Sequence, residues 1–347
     1  MTEDIKKILI IRLSSLGDIV LTTPVIRALK DKFPQAEIYF LTKSKYATLL
    51  KNNPHLSGIM ELDDKGVVGL LSTLRKIRKL NFDLVIDLHA NLRSFFIRRL
   101  SRAKLKIKYN KRWFARFLMV HFKKIKVPSQ HTVNSYLGCL KKIDIHTSNR
   151  IPELYLDEKS KEFAEQLLAG VSKNDILIGI VPGAKWESKK WGEENFAKVI
   201  EIINNRTKAR FVLVGGGEDE SLMKRLKSLV GHINFIDAIG LSFPELSAAI
   251  NRCQVVLTND SGPMHIAVAL KVPVVAIFGP THPKLGFSPL GERDIVLCVD
   301  VECSPCSLHG KRKCYQKSKI CMEKITPEMV AEEVTKQFKS LGVEEVL

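Results

Sequence analysis

A carboxylate just beyond a small-residue turn is the first candidate for chemistry. Ser14-Ser15-Leu16-Gly17-Asp18 follows the apolar run Lys7–Leu13, KILIIRL. At a strand–helix junction, Asp18 can take a proton from a bound hydroxyl. It can equally cap the helix that follows. The turn does not read G-x-G-x-x-G, which counts against a nicotinamide-dinucleotide site.

The richest stretch is Thr258-Asn259-Asp260-Ser261-Gly262-Pro263-Met264-His265. A strand ends there, small polar residues turn the chain, and a helix opens. Pro263 suits a first helical turn, where its missing N–H costs nothing. Free N–H groups and the positive end of the helix dipole suit a pyrophosphate. Gly262 lets phosphate oxygens approach the backbone, and His265 lies in the first turns. A well-capped structural helix with a buried histidine would carry the same pattern. Gly183-Ala184-Lys185 and Ser188-Lys189-Lys190-Trp191 follow an earlier strand. A lysine beside a phosphate leaving group neutralises the charge that develops as the bond breaks. Gly215–Gly217 with Glu218 and Glu220 follows the next strand, where a carboxylate can take a pair of ribose hydroxyls. Cys303, Cys306, Cys314 and Cys321 form a fourth group, enough thiolates for a tetrahedral structural metal. Thiols in a surface loop are the alternative.

The elements that position these residues follow from the apolar pattern. Lys7–Leu13, Glu37–Leu41 and Phe82–Leu88 read as strands, separated by helical segments through about Lys32, over Ser44–Lys51 and over Val67–Leu80. The second half repeats the theme. Strands are expected at Asp175–Val181, Arg210–Val214, Val255–Thr258 and Pro273–Phe278. Helices are expected at Asn195–Asn204, Glu218–Val230, Phe243–Arg252 and Pro327–Leu341. The alternation implies parallel sheets with crossover helices, so two Rossmann-like halves. The boundary is expected near Lys141–Tyr155, giving domains 1–150 and 151–347. The last helix is free to pack back on the first domain. In such sheets ligands bind beyond the carboxyl ends of the strands, which is where the candidate residues fall.

The 347 residues are 45% apolar and 27% charged, an ordinary globular composition. No uninterrupted apolar run is long enough to span a bilayer. Arg12 and Asp18 interrupt the first apolar run, and no cleavage site follows, so a signal peptide is not expected. A reducing cytosol is then the default setting for the cysteines. The net charge is +18, and it is unevenly placed. Residues 1–150 carry 30 basic and 11 acidic side chains, whereas residues 151–347 carry 25 and 26. Such a field attracts nucleic acid, an anionic membrane or a phosphorylated substrate.

Lys7–Leu41, Asp87–Ser94 (DLHANLRS), Ser188–Trp191 and Thr258–Pro283, in that order, resemble the ADP-heptose:lipopolysaccharide heptosyltransferases, glycosyltransferase family 9. The resemblance implies a GT-B fold: two Rossmann-like α/β domains with parallel sheets facing across a cleft. It implies inverting transfer of L-glycero-D-manno-heptose from ADP-heptose to the Kdo/heptose inner core of lipopolysaccharide, with no metal or other cofactor required for catalysis. It makes Asp18 the base, Lys189 the diphosphate partner, and Asp260, Ser261, Gly262 and His265 the donor site. Lys185, Glu220 and Leu241 match donor-contacting positions more loosely. The N-terminal domain would hold the lipid A–Kdo acceptor, with Asn91 and Arg93 as contacts, at the cytoplasmic face of the inner membrane.

The residues themselves support that reading. Inverting transfer needs one base, and ADP leaves without a protonating acid when cations meet it. Arg98–Lys126 contains twelve Lys or Arg, no Asp or Glu, and interleaved aromatics. That composition suits peripheral attachment to an anionic membrane. A solvated helix with its aromatics in the core is the other reading. A sibling transferase with another nucleotide-sugar or acceptor is the nearest alternative function. A nucleic-acid-binding protein is a remote one, since no helix-turn-helix, zinc-finger or RNA-binding signature is present.

Overall fold

The computed structural model describes residues 5–122, 125, 127–172, 175–316 and 318–339, with residues 338 and 339 described by backbone alone. Contacts divide the chain into two compact units, Met1–Arg112 with Gln130–Tyr155, and Trp113–Ser129 with Leu156–Leu347. The break falls after Tyr155 rather than residue 150. The segment Trp113–Ser129, expected in the first domain, groups with the second unit.

The first unit is built on five strands: β1 (Lys7–Ile11), β2 (Glu37–Lys43), β3 (Gly58–Leu62), β4 (Leu84–Asp87) and β5 (Leu105–Lys108). Their order is β3-β2-β1-β4-β5, and every pairing is parallel. The chain reverses its winding between β1 and β4, which opens a crevice beyond their carboxyl ends. Helices cover both faces. β1 and β4 are almost wholly buried, which is why they read as continuous apolar runs. Leu9, Ile11, Leu41, Val85 and Ile97 lie together in one of its cores.

The second unit has six strands: β6 (Leu177–Val181), β7 (Arg210–Gly215), β8 (Phe235–Ile239), β9 (Val255–Asn259), β10 (Val274–Phe278) and β11 (Ile295–Cys298). Their order is β11-β10-β9-β6-β7-β8, again all parallel. Here the switch lies between β6 and β9. The helix Pro327–Lys339 packs on the helix Glu193–Arg206 and against β9 and β10, all in its own unit. Residue 341, the expected end of that helix, lies outside the described residues. Trp191 is the rivet of this packing. Its ring is buried, and its indole N–H donates to the carbonyls of Met322 and Ile325 at 3.1 and 3.0 Å.

The expected fold class is the one observed: two Rossmann-like α/β units with parallel sheets, of the GT-B type. All seven strands read from the sequence are present. The four that were not read, β3, β5, β8 and β11, are the edge strands of the two sheets.

Candidate active site

Asp18 sits on the short helix Leu16–Val20, directly after β1 and at the β1/β4 switch point. Its Oδ2 accepts from Arg12 Nη2 at 2.8 Å and from the Ser15 hydroxyl at 2.7 Å. The Tyr136 hydroxyl lies 3.4 Å from Oδ1. The carboxylate also accepts from the Ser15 backbone N–H at 3.3 Å, so the capping role foreseen for it is real. The same group is nonetheless an ion-paired, partly accessible carboxylate at the mouth of the sheet.

Arg12, which the sequence reading did not single out, is the centre of this arrangement. It directly follows β1, one residue before the end of the first apolar run, and is buried. Nη1 donates to the Leu88 carbonyl at 2.6 Å, and Nε donates to the Ser14 carbonyl at 2.7 Å. Burial pulls its proton affinity down. The Asp18 charge, helped by Tyr136 and Tyr109, more than offsets this and leaves the guanidinium above its ordinary range. The Tyr136 ring lies under the guanidinium at 5.6 Å. The signal for Arg12 in the sequence is a lone arginine near the end of an apolar run, since a buried charge needs a partner.

β4 ends at Asp87, a fully buried carboxylate that fastens the loop behind it. Its Oδ1 accepts from the N–H groups of His89 and Ala90, and its Oδ2 from the Ser94 hydroxyl. His89 lies beside Arg12 and Asp18. Burial, with the charges of Arg12 and Lys111, pushes its imidazole down to about 3, so it is neutral at physiological pH. Its Nδ1 is buried with no hydrogen-bond partner. The two acceptor candidates have local roles. Asn91 caps the helix Leu92–Leu100 by accepting from Ser94 N–H at 2.9 Å. Arg93 is half-buried and pairs with Asp64 at 2.6 Å.

In the second unit the candidates gather at the β6/β9 switch point. Lys189 Nζ meets Asp260 Oδ2 at 2.7 Å. The Thr281 hydroxyl, beyond β10, donates to the same oxygen. Ser261 is the N-cap residue of the helix Gly262–Ala269, and its hydroxyl lies 3.1 Å from that of Thr258. His265 is buried in the helix. The free N–H groups of this helix thus open beside a lysine, as an anion site requires. Asn259, quoted in the sequence pattern but given no role, sews the site together. Its Nδ2 donates to the Pro182 carbonyl at 2.8 Å, and its Oδ1 accepts from Trp191 N–H at 3.2 Å.

The looser candidates fare differently. Lys185 Nζ lies 5.6 Å from the centre of the Trp186 ring. Leu241 is partly buried just past β8. Glu220 is fully exposed and pairs with Lys224, one turn along its helix, at 2.8 Å. The acid turned into the glycine-rich bend is its neighbour Asp219. Asp219 accepts from Gly216 N–H at 3.1 Å. It lies so close to Gly183, at the end of β6, that a Cβ there would come within 2.6 Å of its carboxylate. Burial raises its proton affinity.

The four cysteines line one small cavity with Ser188 and Tyr315. None of the chain's seven cysteines is in a disulfide. Among the described residues, no three His, Cys, Asp or Glu side chains already form a metal-holding group.

Two parallel doubly-wound units define the chain's class. One presents an ion-paired carboxylate and the other a lysine at a helix N-terminus, each at its switch point. Two such units are the framework of a GT-B glycosyltransferase. The chain belongs to glycosyltransferase family 9, the heptosyltransferases, whose pattern matches residues 70–316. It is 28% identical over 280 residues to lipopolysaccharide heptosyltransferase 3 of Escherichia coli K12, covering 76% of this chain and 80% of that protein. It is 28% identical over 327 residues to a lipooligosaccharide heptosyltransferase 2 of Campylobacter jejuni, covering 92% and 96%. A solved family 9 glycosyltransferase from Veillonella parvula superposes with a TM-score of 0.80 at 26% identity, covering 98% of this chain and 99% of that one.

Proposed function

We propose that this heptosyltransferase moves L-glycero-D-manno-heptose from ADP-heptose to the Kdo/heptose inner core of lipopolysaccharide, with inversion and without a catalytic metal. The relatives' names supply the lipopolysaccharide substrate class. The observation that carries the mechanism is the Asp18–Arg12 pair. Arg12 fixes the position of Asp18, so a carboxylate is held ready to receive the acceptor hydroxyl's proton as the new bond forms.

On the donor side, a diphosphate settles against the N–H groups that open the helix Gly262–Ala269, within reach of Lys189. Asp260 is a carboxylate and repels phosphate directly. Its role is to hold Lys189, with Thr281 holding Asp260 in turn. ADP leaves against these fixed charges and needs no protonating acid. The acceptor is an anionic amphiphile embedded in a membrane, which accords with peripheral attachment at the cytoplasmic face of the inner membrane. No helix of the described residues is long and apolar enough to cross a bilayer.

The test is ADP release from ADP-heptose with Kdo2-lipid A and with its mono-heptosylated form, for wild type and Asp18→Asn. Turnover on one acceptor, abolished in the variant, with product of inverted anomeric configuration and no effect of chelator, supports the proposal. Donor binding without turnover on either acceptor would refute the acceptor. Absence of donor binding would refute the nucleotide-sugar.

A further inference from the structure

The helix Trp113–His121 forms one side of a cavity in the second unit, and the chain around Leu308, beyond β11, forms the other. The spacing of the helix's rings builds a continuous wall. Trp113, Phe117 and His121 stand at i, i+4 and i+8, on one helical face. Their rings stack, with Phe117 5.4 Å from Trp113 and 4.3 Å from His121. His121 Nδ1 donates to the Phe117 carbonyl at 3.1 Å, which holds the last ring of the column in place.

The cavity holds about 290 Å³, at the lower end of the range for ligand pockets. Its lining is graded with depth. Val120 is buried, Phe117 and Leu308 are half-buried, and Trp113, Lys311 and Arg312 are exposed. An apolar interior therefore opens between an aromatic ring and two cations. Arg116 adds a third positive charge to the wall, its guanidinium 4.9 Å from the centre of the Phe287 ring. No Asp or Glu among the described residues lines the cavity. A ligand that leaves neither part unmatched has a hydrocarbon body and an anionic end.

The surroundings favour one source for such a molecule. Trp113 and Phe114 are exposed on the same helix, and exposed aromatics suit the headgroup level of a bilayer. All the residues that line the cavity belong to the second unit, whereas Asp18 belongs to the first. The cavity is complete without the unit that carries the proposed base, which favours a lipid of the membrane over the transferase's own acceptor.

We propose that this cavity takes one acyl chain of an anionic membrane phospholipid, whose phosphate meets Lys311 and Arg312. The protein is then held to the bilayer by a seated lipid as well as by surface charge. Binding is the whole of the step, and no covalent bond changes. The inference rests on the membrane attachment proposed above.

The experiment uses the full chain and dihexanoyl-phosphatidylglycerol below its micelle-forming concentration, read by calorimetry and native mass spectrometry. Saturable binding of a single lipid per chain is expected. Dihexanoyl-phosphatidylcholine should bind at least about tenfold more weakly, for want of net charge. Glycerol phosphate, which lacks the chains, should be weaker by at least about tenfold as well. Leu308→Trp fills the cavity and should weaken phosphatidylglycerol at least about tenfold. Lys311→Gln with Arg312→Gln changes only exposed side chains. It should weaken phosphatidylglycerol about tenfold and leave phosphatidylcholine unaffected. In phosphatidylglycerol vesicles, brominated chains should quench an emission that is absent from Trp113→Phe.

Glycerol phosphate binding as tightly as the lipid would overturn the acyl-chain site. So would phosphatidylglycerol binding that survives both the filled cavity and the double substitution, with circular dichroism unchanged. Uptake of Kdo2-lipid A with none of phosphatidylglycerol would assign the cavity to the acceptor and overturn the phospholipid. Vesicle sedimentation separates the two readings. Sedimentation without a seated lipid refutes the cavity and spares the attachment. A seated lipid without sedimentation refutes the attachment and spares the cavity.

Discussion

At the scale of single residues, the first unit's candidate site is organised by one buried cation. Arg12 reaches two carbonyls and the Asp18 carboxylate from just past the end of β1. Asp18→Asn keeps the shape and much of the hydrogen bonding but removes the proposed proton acceptor. We expect kcat to fall by about 10²–10⁴ with the donor Kd unchanged, read from steady-state turnover and calorimetry. His89 makes a separate prediction about stability. Its imidazole is held down to about 3 in the fold, against about 6.5 when unfolded. Below pH 6.5 the unfolded chain therefore binds a proton that the folded chain refuses. Stability is present in full above that pH and is lost as pH falls towards 3, at about 1.4 kcal/mol per pH unit. Between pH 7 and 5 the loss assignable to His89 is about 2 kcal/mol. His89→Asn should flatten that part of the profile in urea denaturation at the two pH values. An unchanged slope would mean that His89 does not hold the buried, neutral state described.

At the scale of elements, what could be read from the sequence follows burial. β1, β4, β6, β9 and β10 are buried along nearly their whole length, so each appears as an unbroken apolar run. The unread strands have only partial cover. β11 has four half-buried residues, and β5 alternates Leu-Lys-Ile-Lys. Edge strands have one neighbour rather than two, and their composition carries little signal. The same contrast explains the site. Asp18, Lys189 and Asp260 were legible because each follows a central strand, where the switch points lie. Arg12, Asn259 and Asp219 were not, because their roles depend on which loops the sheet order brings together. Asn259 shows how much rests on that. Its amide joins the ends of β6 and β9 and the start of the helix Glu193–Arg206 through Pro182 and Trp191. Asn259→Ala leaves a buried carbonyl and a buried N–H unpaired, at a cost of about 2–4 kcal/mol. We expect a lower urea midpoint together with weaker ADP binding, because Lys189 lies on the loop that Asn259 anchors. Asn259→Ala with normal ADP affinity would separate the anchor from the donor site.

At the scale of the whole molecule, the +18 charge concentrates in residues 1–150, which hold 30 basic side chains. The Arg98–Lys126 stretch does not bury all its aromatics, as one of the two readings of the sequence required. Trp113 and Phe114, on the helix Trp113–His121, are 60% and 64% exposed, and Phe122 is exposed beyond it. Lys123, Lys124 and Lys126 lie outside the described residues. Beneath the helix is a cavity of about 290 Å³, walled by Phe117, Val120 and Leu308 and bordered by Arg116 and Arg312. On the proposed membrane attachment, exposed aromatics beside arginines and an apolar recess would add an interfacial anchor to the electrostatic one. Each basic side chain held near an anionic surface adds about 1 kcal/mol, screened within about 8 Å at physiological salt. The two contributions separate experimentally. Sedimentation with phosphatidylglycerol vesicles should fall at least about tenfold between 0.1 and 0.5 M salt, and phosphatidylcholine vesicles should bind weakly. The double substitution Trp113→Ser and Phe114→Ser should weaken binding several-fold at both salt concentrations while leaving the salt slope and the fold unchanged. Binding that ignores both lipid charge and salt would mean that the basic half serves something other than a membrane. Binding that ignores the double substitution would confine the attraction to charge alone.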